Sequence, residues 1–151
     1  MTDVIKPADD PQIGNLATPV NSSALVKAFI NNLPAYREGL APQRRGLEIG
    51  MAHGYLIYGP FTLLGPLRET TIANVSGLLA SIGLIIILTA CLSIYTSVGV
   101  GKPIATVTTP QPPDALSTDA GWAEFKKGFL IGGSGGALFA FIVTFLLSFV
   151  L

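Results

Sequence analysis

Arg44-Arg45-Gly46-Leu47-Glu48-Ile49-Gly50-Met51-Ala52-His53-Gly54-Tyr55-Leu56-Ile57-Tyr58-Gly59-Pro60 opens with two cations and runs directly into an apolar segment. From residue 47 to residue 65 that segment has 19 residues, close to the ~20 that a helix needs to cross a hydrocarbon core of about 30 Å. Inside it lie a carboxylate, Glu48, and the only histidine of the chain, His53. An ionisable side chain is costly in hydrocarbon, so in a spanning helix it faces protein, water or a ligand and marks a candidate functional site. Gly46, Gly50 and Gly54 recur at every fourth residue. They give the helix one smooth groove, against which another backbone or a flat ligand can lie. Gly59 and Pro60 are expected to kink or loosen the second half of the helix.

The rest of the composition agrees with a membrane setting. Half of the 151 residues are hydrophobic and 12% are charged, against about 25% charge in ordinary soluble domains. Lysine plus arginine equals aspartate plus glutamate, nine each, so the basic excess that marks a nucleic-acid partner is missing. Cys91 is the single cysteine, which excludes an internal disulfide and a cysteine-cluster metal site. Its apolar neighbours lead us to expect a buried, inert thiol. The first ten residues lack a charged-then-apolar pattern, and no cleaved signal peptide is expected.

Outward from the first span, the pattern predicts an all-α membrane protein with three transmembrane helices. Residues 1–46 form a cytoplasmic N-terminal segment, beginning with an irregular strap over residues 1–16 that carries Pro7, Pro11 and Gly14. Ser22 or Ser23 is placed to cap a short amphipathic helix, with Leu25, Val26, Phe29, Ile30 and Leu33 on one face and Pro34 as its stop. That helix is too short to span and is expected to pack on a partner. After the first span, 47–65, comes a short loop, 66–71, with adjacent Arg68 and Glu69, and then a second span, 72–98, with Ala73, Gly77 and Ser81 as a small-residue face. Residues 99–121 are polar and proline-rich and predict a flexible surface loop. Residues 122–151 begin amphipathically, with Asp119 as a candidate helix start, and become the third span. Its small-residue series Gly132, Gly136, Ala140 permits close helix approach.

Charge sets the orientation. Lys6, Lys27, Arg37, Arg44, Arg45, Lys102, Lys126 and Lys127 fall on one side and Arg68 alone on the other, eight against one. This bias puts the N-terminus in the cytoplasm and the C-terminus across the membrane.

Glu48 and His53 stand five residues apart and so differ by about 140° in direction on a helix. They do not easily converge on one small ion and read instead as two independent ligands on two sides of one helix. Imidazole is a general metal ligand, and a carboxylate suits a hard cation such as magnesium. On the residues alone, His53 reads equally as a hydrogen-bond partner across helices. Glu48 reads first as a partner of Arg44 or Arg45 at the membrane surface. A three-ligand zinc site cannot be assembled from one histidine, and the serines stand in no nucleophile elbow.

The strings Asn32-Leu33-Pro34-Ala35-Tyr36-Arg37, Arg45-Gly46-Leu47-Glu48-Ile49-Gly50-Met51-Ala52-His53-Gly54-Tyr55 and Gly65-Pro66-Leu67-Arg68 closely resemble those of subunit XI of photosystem I, the L subunit family. The likeness continues through Thr89-Ala90-Cys91-Leu92, through Gly121-Trp122 and into the glycine-bearing third span, and so covers most of the chain. The resemblance implies three transmembrane helices in a thylakoid-type photosynthetic membrane, with the N-terminus cytoplasmic or stromal and the C-terminus lumenal. It implies a non-catalytic subunit that binds antenna chlorophyll a and β-carotene, contacts core subunits A and B, the small membrane subunits and lipid, and joins reaction-centre monomers into trimers through neighbouring L subunits. Glu48 and His53 match the family's axial ligands to chlorophyll magnesium, and Arg44 or Arg45 would offset the charge of Glu48. Glu69 matches a calcium-ligand position at the trimer contact, one methylene longer than the expected aspartate. Relatives continue beyond the third span whereas this sequence ends at Leu151, so a weaker trimer is expected.

Two other classes of protein lack the residues they need. A transporter using His53 as a proton relay needs a partner acid at the same depth, and residues 72–98 and 129–151 carry no charge. An enzyme needs a catalytic set that these residues do not supply.

Overall fold

The computed structural model describes residues 4–8 and 11–148. Its frame is four helices: α1 (Ala24–Asn32), α2 (Pro42–Leu64), α3 (Ala73–Ser97) and α4 (Asp119–Leu147). Two-residue strands β1 (Lys6–Pro7) and β2 (Leu16–Ala17) pair antiparallel, Lys6 opposite Ala17. The expected irregular strap thus closes into a small hairpin, which the Ala8 amide fastens by donating to the Asn15 carbonyl at 2.8 Å.

Among the described residues, α3 and α4 are the helices long and apolar enough to cross a membrane. α2 has 23 residues, about 34 Å at 1.5 Å per residue, but Glu48, His53, the glycines and the tyrosines make it less apolar. It begins five residues before the expected start at residue 47. The cause is Pro42: its missing N–H and fixed φ suit the first helical turn, so the helix starts there and takes both arginines into its opening turns. The helix runs through Pro60 without interruption. α4 starts at Asp119, where the Thr118 side chain accepts from the Gly121 amide at 3.1 Å. The last three residues of the expected third span, 149–151, lie outside the described residues.

α2 and α4 pack backbone to backbone. A methyl group built on Gly46, Gly50 or Gly54 would run into the carbonyl oxygen of Phe125, Phe129 or Gly133. On the facing helix, Gly128, Gly132 and Gly136 lie equally close to the carbonyls of Gln43, Leu47 and Met51. The groove of α2 is therefore filled by another backbone rather than by a flat ligand. The small-residue face of α4 is used up in the same contact, with Gly132, Gly136 and Ala140 all buried. The close helix approach that this series permits is thus made within the chain. α3 closes the bundle: Ile85, fully buried, packs against Gly133 and joins Phe125 and Phe129 in the core. Gly77 presses on Thr62.

Two further expectations change. Cys91 is exposed on the outer surface of α3 rather than buried, because Gly77, Ser81 and Ile85 turn a different face inward. The connection from Gly99 to Thr118 is tied down rather than free. Asn31 donates to the Thr108 carbonyl at 2.7 Å, and Thr108 donates to the Asn21 carbonyl at 3.2 Å. A 3-10 turn, Asp114–Ser117, carries an ion pair of Asp114 with Lys102 at 2.6 Å.

Candidate functional site

Ser23 starts α1 by accepting from the Val26 amide at 3.3 Å. The chain after Asn32 cannot continue as helix into Pro34, and it folds into a tight turn in which the Tyr36 and Arg37 amides both donate to the Leu33 carbonyl, at 3.0 and 2.8 Å. Gly39 then takes a φ of 70°, a left-handed conformation that side-chain-bearing residues avoid. These bends lead the chain back over the start of α2 and bring Arg37 onto Glu48. One guanidinium nitrogen of Arg37 lies 2.6 Å from each carboxylate oxygen. Arg44, one turn before Glu48, adds a bond of 3.1 Å from Nε.

Arg45 does something else. It is only 3% exposed and donates to three carbonyls of the same turn: Pro34 at 2.6 Å, Arg37 at 3.0 Å and Leu40 at 3.1 Å. Its Nε is buried without a hydrogen-bond partner among the described residues. Burial first, and then the nearby Arg37 charge, pull the guanidinium below its ordinary range, while Glu48 acts the other way. Of the two arginines expected to offset Glu48, Arg44 bonds to it and Arg45 does not. Arg37, which the sequence reading counted only as a surface charge, is the principal partner. Its position eleven residues upstream of Glu48 carries no periodic signal, since the pair forms only through the turn at Pro34 and Gly39.

His53 sits on a different side of α2 and is exposed. Its Nδ1 lies 2.8 Å from the carbonyl oxygen of Ile49. A carbonyl can only accept, so Nδ1 carries the hydrogen, and in the neutral ring Nε2 keeps its lone pair. The edge of the ring packs against Phe129 of α4, with centroids 5.5 Å apart. Glu48 and His53 are thus not brought together. Among the described residues, no three His, Cys, Asp or Glu side chains cluster to hold an ion. Glu69, 84% exposed, faces Arg68 at 3.3 Å in the loop between α2 and α3.

Two apolar helices braced by a third, along which the ionisable side chains Glu48 and His53 are placed singly, define a helical protein suited to a membrane. The chain belongs to the photosystem I reaction centre subunit XI family. The model of that family, PsaL, matches residues 3–149. The chain is 62% identical over 141 residues to the photosystem I reaction center subunit XI of Crocosphaera subtropica, covering 93% of this chain and 90% of that relative. The corresponding subunit of a Picosynechococcus species is 65% identical over 139 residues, covering 92% and 91%. That of Synechococcus elongatus is 60% identical over 144 residues, covering 94% and 87%.

Proposed function

We propose that the chain is a non-catalytic, pigment-holding and assembly subunit of photosystem I, in a thylakoid-type membrane, with α2, α3 and α4 as three spans. The proposed orientation keeps α1 and the loop between α3 and α4 on the cytoplasmic side, as the eight-to-one charge bias requires. The observation that carries the pigment reading is the contact of His53 Nδ1 with the Ile49 carbonyl, which leaves the lone pair of the neutral ring on Nε2. With Nδ1 committed to Ile49, the ring is fixed in orientation and tautomer, as ligating imidazoles usually are. A chlorophyll a magnesium has four ring nitrogens and needs one axial donor, so single donors that diverge suit two macrocycles better than one ion.

Glu48 fits the second magnesium under one condition. A carboxylate accepts about four hydrogen bonds, and Arg37 and Arg44 account for three, two on Oε1 and one on Oε2. The position left is on Oε2. Chlorophyll bound at these positions supplies light absorption and transfer of excitation energy. The protein's part is to hold each donor still and, at Glu48, to neutralise its charge.

The outward faces of α3 and α4, with Leu79, Ile86, Ile87, Ile131 and Phe139 exposed, offer apolar surface for β-carotene, lipid, core subunits A and B and the small membrane subunits. Trimer formation through neighbouring L subunits must use such outward surface or the loop at Glu69, where calcium would draw its remaining oxygens from another chain.

Replacing His53 with Leu tests the reading. The complex should assemble and lose one chlorophyll per subunit. Unchanged pigment content would overturn the assignment.

A further inference from the structure

We infer that Arg45 and Arg37 form the outer shell of the pigment site at Glu48, with Arg45 as a positioning residue that touches neither Glu48 nor a pigment. The inference rests on the reading of Glu48 as a magnesium ligand and deepens it.

A guanidinium as buried as that of Arg45 is costly unless its donors are used. Three of its bonds go to carbonyls within one short turn, at Pro34, Arg37 and Leu40. One side chain of α2 therefore fixes both ends and the middle of the segment that carries Arg37. From that fixed backbone, Arg37 reaches both oxygens of Glu48 at 2.6 Å. The next residue along α2 from Arg45 toward the cytoplasm, Arg44, reaches the same carboxylate from its own helix.

The division of labour follows from geometry. Arg44 is on the helix and 73% exposed at its side chain, so it can leave the carboxylate with little cost. Arg37 is held from a loop, and the loop is held by Arg45. The carboxylate is aimed and neutralised by the loop, and the loop is locked by the helix. His53 has no part in this chain of bonds, because its own orienting contact is with Ile49. It serves as an internal control within the same subunit.

The test uses intact photosystem I carrying Arg45→Gln, Arg37→Gln, Arg37→Lys, Glu48→Leu or His53→Leu. Chlorophyll is counted per reaction centre, and low-temperature absorption and circular dichroism identify which band each variant alters. Arg37→Gln and Arg45→Gln are expected to shift or deplete the band that Glu48→Leu removes, with retention of that pigment weakened roughly 10- to 100-fold, as for other outer partners of metal ligands. The band removed by His53→Leu should stay in place. Arg37→Lys, which keeps the charge, should restore part of the signal, a rescue that a purely structural role does not give. Protease should cut the 34–40 segment faster in Arg45→Gln.

If Arg45→Gln prevents assembly, the two Arg37 variants decide, since that side chain is partly exposed and its loss leaves the Arg45 clamp in place. If Glu48→Leu removes a band that both arginine variants leave unaltered, the inference fails and the Glu48 reading stands. If Glu48→Leu removes no pigment, both fall.

Discussion

His53 keeps one ring nitrogen available by committing the other to its own helix, and Glu48 keeps its charge tolerable by meeting two arginines. As the proposed ligands they are prepared by different means, and they should respond differently to substitution. Glu48→Gln keeps an oxygen donor of the same shape, loses the negative charge and weakens the hold of Arg37 and Arg44. It should retain part of its chlorophyll, whereas Glu48→Leu should retain none and leave two cations facing apolar surface. Pigment extraction and counting separate these outcomes, and full retention in Glu48→Leu would remove Glu48 from the ligand set. Both proposed ligands stand out in the sequence because an ionisable group inside an apolar run is conspicuous. Their partners were less so. Arg37 is adjacent to Glu48 only after the chain has turned twice, and Arg45, one residue from an exposed arginine, shows its burial only once the turn is folded over it.

At the scale of elements, the fourfold glycine spacing was readable in both α2 and α4, but the spacing alone did not say that each was the other's partner. A groove of glycines looks the same whether a backbone, a pigment or a neighbour fills it. The carbonyls of Phe125, Phe129 and Gly133 fill it here. Gly50→Ala should therefore push α2 off α4 and cost on the order of 1–3 kcal/mol or more, since backbone cannot move aside as a side chain can. Gly135→Ala, where a methyl group meets open space, should be neutral or stabilise the helix by about 0.5–1 kcal/mol through reduced chain entropy. The thermal release of the subunit from the complex measures both. Equal effects would mean that α2 and α4 do not meet backbone to backbone at Gly50. The loop between α3 and α4 is held more firmly than its composition suggests, for a similar reason. Its prolines and threonines signal irregular backbone, and irregular backbone can still be held firmly by a few distant hydrogen bonds such as those of Asn31 and Thr108.

For the whole molecule, sidedness and assembly are the measurable properties. Protease applied to the cytoplasmic face of native membranes should cut the N-terminal segment and the 99–118 connection while the 66–71 loop stays protected; the reverse pattern would invert the orientation. Complexes solubilised from cells lacking the subunit should run as monomers on native gels, and surviving trimers would end the assembly role. The α2–α4 contact also sets an order of events during synthesis. The two helices that touch most intimately are separated in the chain by α3 and the long connection, so on the proposed topology α2 enters the membrane before its partner is made. Until α4 follows, the backbone strip along Gly46, Gly50 and Gly54 lacks the carbonyls that cover it in the folded chain. The polar partners of Glu48 and His53 come from residues made earlier or from α2 itself. The proposed ligand geometry can thus mature while the ribosome is still working, and the last helix to arrive seals a bundle in which Glu48 and His53 already have their polar partners.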